Sequence, residues 1–340
     1  MLADAVLAVM WVGLTCYALF GGADFGAGLW DLLAGGGERG AVRRDLIEHA
    51  IGPVWEANHV WLIFVVVMLW TGFPAVFAAV MSTLYVPLTL TALGVIARGS
   101  AFAFRKASAR LWQRRLFGAC FAVSSVVTPF FLGTVAGGIA SDRVPAGLAA
   151  GDLTGSWLNP TSALGGVLAV LACAHLAAVY LCADAHRLGD AALAADFRQR
   201  ALVSGLVSGV VALAGIAVLH ADAPRLFHGL THRALPLVVL SAVTGVGGLV
   251  LLGRGRPGPA RAAAALAVAA VLWAWGAAQY PLMLRPDVTV ASAAATGPVL
   301  AGTLVVFAVG GVLLVPSLLW LYSLAQHPGA HGAEPGADRV

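Results

Sequence analysis

The chain has 340 residues, of which 60% are hydrophobic and 11% charged, with a formal net charge of +4. Ordinary globular domains carry about 25% charged residues, and a soluble fold this poor in charge would expose too much apolar surface to stay dispersed. Disorder is excluded by the same apolar content, and the basic residues fall in short clusters between apolar segments, which points to a membrane and to no nucleic-acid partner.

A spanning helix needs about 20 mainly apolar residues. Nine segments meet that requirement: 3–33, 50–70, 74–98, 116–140, 160–184, 201–219, 234–253, 262–281 and 298–325. Each is too long and too evenly apolar for a barrel strand, so helices are expected throughout. The first is longer than a bilayer needs and is expected to tilt or to extend beyond it. The expected fold is an all-α integral membrane protein with nine transmembrane helices, arranged as two four-helix bundles plus one peripheral helix. A single polytopic domain covers 1–325. The longest connection, 141–159, is rich in Gly and Pro, and the polar stretch 326–340 reads as a disordered cytoplasmic tail.

The basic residues orient these spans. Sixteen of the twenty Lys and Arg follow odd-numbered segments or lie in the tail, and only Arg143, Arg225, Arg233 and Arg285 fall on the other side. The positive-inside rule then places the N-terminus outside and the C-terminus in the cytoplasm. Met1 is followed by Asp4 rather than by a basic region, so no cleavable signal peptide is expected. Cys16, Cys120, Cys173 and Cys182 all lie in apolar runs without metal-type spacing. Neither a phosphate-binding glycine loop nor a zinc or nucleophile motif occurs, so the chain alone does not read as a hydrolase or a redox enzyme.

Ionisable residues inside a span are costly and therefore functional suspects. Asp24 stands in GADFGAGLWDLL (22–33), and Glu56 and His59 stand in IGPVWEANHVWLI (51–63). At 1.5 Å per residue, Asp24 and His59 lie about 13 Å and Glu56 about 9 Å from the cytoplasmic end of their helices. His49, Gly52, Glu56 and His59 follow at +3, +4 and +3, which on one continuous helix makes a polar stripe leading inward, with Trp55 and Asn58 beside it. A carboxylate and an imidazole at one depth suit proton uptake; a hydrogen-bonded pair that only locks helix packing is the plainer alternative. Gly22 and Gly26 form a small-xxx-small pair that allows close helix approach. The tryptophans read as interface anchors or packing. His175 matches His59 in depth, so the two could ligate one haem iron axially, yet a second haem would lack a ligand pair. A proton-coupled secondary transporter could use the same carboxylate and histidine, although no repeated pair of interrupted helices supports it.

At these motifs the chain resembles subunit II of the cytochrome bd-type quinol oxidases, including the cyanide-insensitive branch. The matching stretches are FGGADFGAGLWDLL (20–33), IGPVWEANHVWLI (51–63), LWTGFPAVFA (69–78), ARGSAFAFR (97–105) and WLNPTSALGG (157–166). The resemblance implies a non-catalytic chain in the bacterial cytoplasmic membrane that partners subunit I. That subunit carries two b haems and haem d and oxidises quinol while reducing O2 to water. No cofactor is expected to bind this chain directly, apart from room for a structural quinone, and small accessory subunits are compatible with the family. The resemblance also assigns proton uptake from the cytoplasm to the acidic residue after the second-helix tryptophan, here Glu56 after Trp55. Asp24, His59, Asn58 and His49 line or tune that route, and Arg98 is the arginine that ends the third helix. The chain departs from many relatives at Gly21 and Gly22, where an acidic residue is common, at Ala103, where Glu is frequent, and at Glu56, where Asp is frequent.

Overall fold

The computed structural model describes residues 1–52, 55–108 and 110–326. It is helical almost throughout. The first helix begins as α1 (Leu2–Cys16), passes through one π-helical turn (Tyr17–Gly21) and continues as α2 (Gly22–Leu32). Then follow α3 (Gly37–Ile51), α4 (Trp55–Gly72), α5 (Pro74–Thr83), α6 (Tyr85–Ala107), α7 (Leu111–Ala140), α8 (Pro160–Arg187) and α9 (Ala191–Asp222). A short α10 (Pro224–Thr231) leads to α11 (Leu235–Gly253) and α12 (Pro257–Gln279). A small antiparallel hairpin, β1 (Leu282–Leu284) and β2 (Val288–Thr289), pairs Leu282 with Thr289. One turn of helix, α13 (Val290–Ala293), precedes α14 (Gly297–Gln326). The rest of the expected tail, 327–340, lies outside the described residues.

Local chemistry sets many of these boundaries. Proline opens α5, α8, α10 and α12, where its missing N–H costs nothing and its fixed φ is already helical. Asn159 caps α8 by accepting from the Ser162 N–H at 2.8 Å, and Asp190 caps α9 by accepting from Leu193 at 2.9 Å. Among the described residues, eight helices are long and apolar enough to cross a membrane, or nine if α3 and α4 are counted as one bent span.

Two expected spans are not single helices. In the second, α3 ends at Ile51 and α4 begins at Trp55, and the axes of the two helices differ by 53°. The polar sequence of α3 (GERGAVRRDLIEHAI) explains this, since such a helix gains nothing by entering lipid. The third breaks at Leu84, and its long helix is α6, which runs on to Ala107. Arg98 therefore lies well inside α6 and does not end a helix.

α8 occupies the centre, with a nearly continuous buried run from Cys173 to Ala185, and packs against α2, α7, α9 and α12. α14 leans on α1 and α4 and leaves most of its surface uncovered. Ion pairs gather the connections into two ends. At the arginine-rich end, Arg43 of α3 pairs with Asp196 of α9 at 2.6 Å, and Arg261 of α12 reaches Asp184 of α8 at 3.5 Å. At the other end, Asp222 accepts from both Arg143 terminal nitrogens (3.1 and 2.7 Å) and from the Thr161 N–H and hydroxyl (3.0 and 2.6 Å). That one carboxylate joins the α7–α8 connection, the start of α8 and the end of α9. Asp222→Asn is expected to cost about 1–3 kcal/mol, because it turns a forked charge-assisted contact into a neutral one. A thermal unfolding midpoint matching the parent's would show that solvent replaces the contact.

Candidate functional site: a buried polar centre behind an exposed carboxylate

Asp24 lies on the buried face of α2 and is 5% exposed. Its carboxylate accepts from the Asn58 side-chain amide of α4 at 2.7 Å. Arg98 of α6, 1% exposed, makes three further connections. Its Nε donates to Ser125 Oγ of α7 at 3.1 Å, one terminal nitrogen donates to the Asp24 main-chain carbonyl at 3.0 Å, and the other faces His59 Nε2 at 3.3 Å. Four helices thus meet at a single guanidinium, whose planar fork is suited to such divergent bonding. Phe25 and Phe121 bracket it, with ring centroids 4.9 and 5.0 Å from its central carbon.

Because arginine only donates, His59 Nε2 is the acceptor and its proton sits on Nδ1. That Nδ1 is buried without a hydrogen-bond partner among the described residues, and so is the Tyr17 hydroxyl. The two rings lie 6.1 Å apart. Tyr17 opens the π-helical turn, which was not legible in the apolar pattern.

The other candidate residues separate from this centre by degrees. Trp55 packs edge-on to His59 (6.3 Å) and against Phe102 (5.4 Å), over Gly99. Glu56 is exposed. It heads an outward stripe of α4 formed with Val60, Ile63, Val67 and Trp70, all exposed and spaced +4, +3, +4, +3. His49 sits on the exposed face of α3, with its Nδ1 2.8 Å from the Asp45 carbonyl. The inward stripe of His49, Gly52, Glu56 and His59 is therefore not formed as one helical face, because α3 and α4 are separate helices and Glu56 and His59 point to different surroundings. Gly22 and Gly26 let α2 close on α8. A side-chain carbon on Gly26 would overlap the Cys173 carbonyl, whereas one on Gly22 would stand 3.5 Å from Cys173 Sγ.

A second polar level was missed. Asp31 follows Asp24 by seven residues, and Arg105 follows Arg98 by seven. Seven residues are nearly two turns, about 10.5 Å along a helix, so both pairs recur on the same faces of two helices running the same way. Arg105 bonds Asp31 at 3.0 Å and approaches Glu48 of α3 at 4.0 Å, while Arg44 lies 3.9 Å from Asp31. Together with Ile47, Ile51, Phe102 and Phe121 these groups line a small cavity at the arginine-rich end. The repeated spacing was the available signal.

His59 and His175 serve different helix interfaces. His59 faces Arg98, whereas His175 Nδ1 lies 3.0 Å from the Ala201 carbonyl of α9 and packs on Gly205. Among the described residues no group of three or more His, Cys, Asp or Glu is placed to hold a metal ion.

A polytopic helical membrane protein, with a buried arginine that joins four helices, is the class of protein that this fold defines. Residues 2–325 match the family described as cytochrome bd terminal oxidase subunit II, and the chain belongs to that family. It is 26% identical over 242 residues to a cytochrome bd ubiquinol oxidase subunit 2 of Bacillus subtilis, covering 70% of this chain and 68% of that protein. It is 21% identical to a putative cytochrome bd menaquinol oxidase subunit II of the same species, covering 94% and 95%. The structure matches a chain of the bd oxidase from Geobacillus thermodenitrificans with a TM-score of 0.74 and 25% identity, over 96% of this chain and 98% of that one. Members of the family are subunits of a respiratory quinol oxidase complex, which implies a subunit I partner. These comparisons give the transporter reading no support.

Proposed function

We propose that this chain serves as the non-haem-binding subunit II of a bd-type terminal oxidase, supporting subunit I and admitting protons from the cytoplasm. In this reading the two b haems and haem d, the oxidation of quinol and the reduction of O2 to water all belong to subunit I. Nine spans, with α3 lying at the membrane surface and α4 crossing, leave the N-terminus outside and the C-terminus in the cytoplasm of a bacterial cell.

The observation that carries the proton role is the position of Glu56. It is an exposed carboxylate at the head of an apolar stripe, two residues before the buried Asn58 that bonds Asp24. A carboxylate on a helix face otherwise made of Val60, Ile63, Val67 and Trp70 is costly against lipid. It is accounted for if subunit I covers this face and Glu56 opens into the seam between the subunits. Asn58, about 200° around α4 from Glu56, holds Asp24 in the buried centre that tunes the route from the inner face of the helix. His59 accepts from Arg98 and fixes its geometry, His49 on α3 collects protons at the surface, and Trp55 closes the route from the side of α6.

Glu56→Gln removes the titratable carboxyl group while keeping the side chain's shape. Quinol-driven O2 consumption by the purified complex is expected to fall roughly a hundredfold, within the range for lost acid–base function. Glu56→Asp should retain most activity. Full turnover in Glu56→Gln, at unchanged haem content, would exclude the role.

A further inference from the structure

The arginines of one end are unequally used. Arg43 and Arg200 share Asp196, Arg44 and Arg105 share Asp31, and Arg187 and Arg261 share Asp184. The side chains of Arg198, Arg254 and Arg256 make no ion pair or hydrogen bond among the described residues, and all three residues are exposed. They also converge. α11 ends in a tight turn in which the Gly255 N–H bonds the Leu252 carbonyl and the Arg256 N–H bonds that of Leu251, with Gly255 at φ +69°. This turn sets Arg254 and Arg256 on either side of Gly255, and Arg198 Nη1 of α9 lies 4.0 Å from where a Gly255 side-chain carbon would stand. The carboxylates of the neighbouring α8 and α9 ends are already engaged among the described residues, since Asp184 and Asp196 are taken and Asp190 caps α9.

The surface leading away from these cations is apolar. On α11, Val239, Val243, Val246 and Val250 are exposed at +4, +3 and +4, and Arg254 stands at the next +4. On α9, Val203, Leu206, Val210 and Leu213 are exposed. The seam between the two helices is opened by glycine. Gly205 faces Leu249 across it, while Gly209 of α9 and Gly253 and Gly258 beside the turn have open space in front of them. Three unpaired guanidiniums above a long apolar seam match a molecule with phosphate charge at one end and acyl chains at the other.

We propose that the α9–α11 seam binds an anionic phospholipid. Arg198, Arg254 and Arg256 hold its phosphates, and its acyl chains lie along Val246, Val250 and the α9 face. A diphosphatidyl lipid, with two phosphates on one headgroup, fits three separate cations better than a zwitterionic lipid, whose own cation these arginines would repel.

The test uses the intact purified complex, stripped of lipid in detergent and supplied with either tetraoleoyl diphosphatidylglycerol or dioleoyl phosphatidylcholine, with bound lipid read by native mass spectrometry. The parent is expected to retain the anionic lipid selectively. Arg198→Gln, Arg254→Gln and Arg256→Gln combined should reduce its occupancy by about fivefold or more, and an excess of inorganic phosphate should not displace it from the parent. The single variant Arg254→Gln, wholly at the surface, should show a smaller loss in the same direction and guards against misassembly of the triple variant. A control pair, Arg114→Gln with Arg115→Gln on α7, should leave occupancy unchanged. Equal retention in the Arg254 and triple variants, equal retention of phosphatidylcholine, or an equal loss in the control pair would overturn the proposal. Displacement by inorganic phosphate would mean a free-anion site, and loss of a protein subunit in place of lipid would mean a protein interface; either result also overturns it.

Discussion

Replacing Arg98 by methionine is expected to destabilise the protein by about 3–5 kcal/mol, the range for removing one partner of a buried charged network. The reason lies in how many groups depend on that side chain. Ser125 Oγ, the Asp24 carbonyl and His59 Nε2 all face it within 3.3 Å; Ser125 and Asp24 are buried and His59 is half-buried. Without the guanidinium, Asp24 remains buried, and among the described residues its carboxylate keeps only the Asn58 amide as a donor. Arg98→Lys should recover part of the loss, since an ammonium keeps the charge but cannot fork between α2, α4 and α7. Thermal unfolding of the purified protein and the yield of folded protein in membranes would both report the effect. A parent-like midpoint for Arg98→Met would show that the centre tolerates an apolar plug.

Gly26→Ala is the second large expectation. The added methyl would run into the Cys173 carbonyl and the Ala177 side chain, and main chain inside the central helix cannot turn aside. α2 must then move off α8, which strains the Trp30 indole bond to the Ala174 carbonyl, 2.8 Å in the parent. Overpacking typically costs about 1–3 kcal/mol, and a clash with backbone belongs at the top of that range. Gly22→Ala is the matched comparison, because its methyl would meet Cys173 Sγ at 3.5 Å and Leu176 Cδ1 at 3.8 Å, both ordinary side-chain contacts. A large difference in unfolding midpoint between the two variants is expected; equal midpoints would mean that α2 and α8 are free to separate.

Apolar segment length was enough to place most helices within a few residues, because lipid leaves a chain few other ways to satisfy its backbone. The errors came where charge was read as a boundary. A boundary at Arg98 ignores the apolar AFAF (101–104) that follows it; a buried guanidinium with three partners has no need of the interface. Conversely, the helical spacing of His49 and Glu56 spans the end of α3 and the start of α4, two helices whose axes differ by 53°. Asp24, Asn58 and His59 were found because an ionisable or amide group inside a span is conspicuous. Ser125 was not, since a serine in an apolar helix ordinarily bonds its own preceding turn, as this one also does to the Phe121 carbonyl at 2.7 Å. The outward aspect of Glu56 was invisible for a different reason: which side of α4 faces inward depends on contacts with α1, α5 and α14 that no local pattern encodes.

The π-helical turn at Tyr17–Gly21 has a bearing on how this chain is compared with others. An α-helix of the same height holds one residue fewer, and one residue is about 100° of rotation. α1, which borders α4, α12 and α14, is thereby phased independently of α2, which borders α7 and α8. In an alignment the turn behaves as an insertion hidden inside an unbroken apolar run. A related chain with a straight helix here would need a one-residue gap to bring its motif into register with GADFG. Without that gap, the residue matched to Asp24 would come from a different side of the helix.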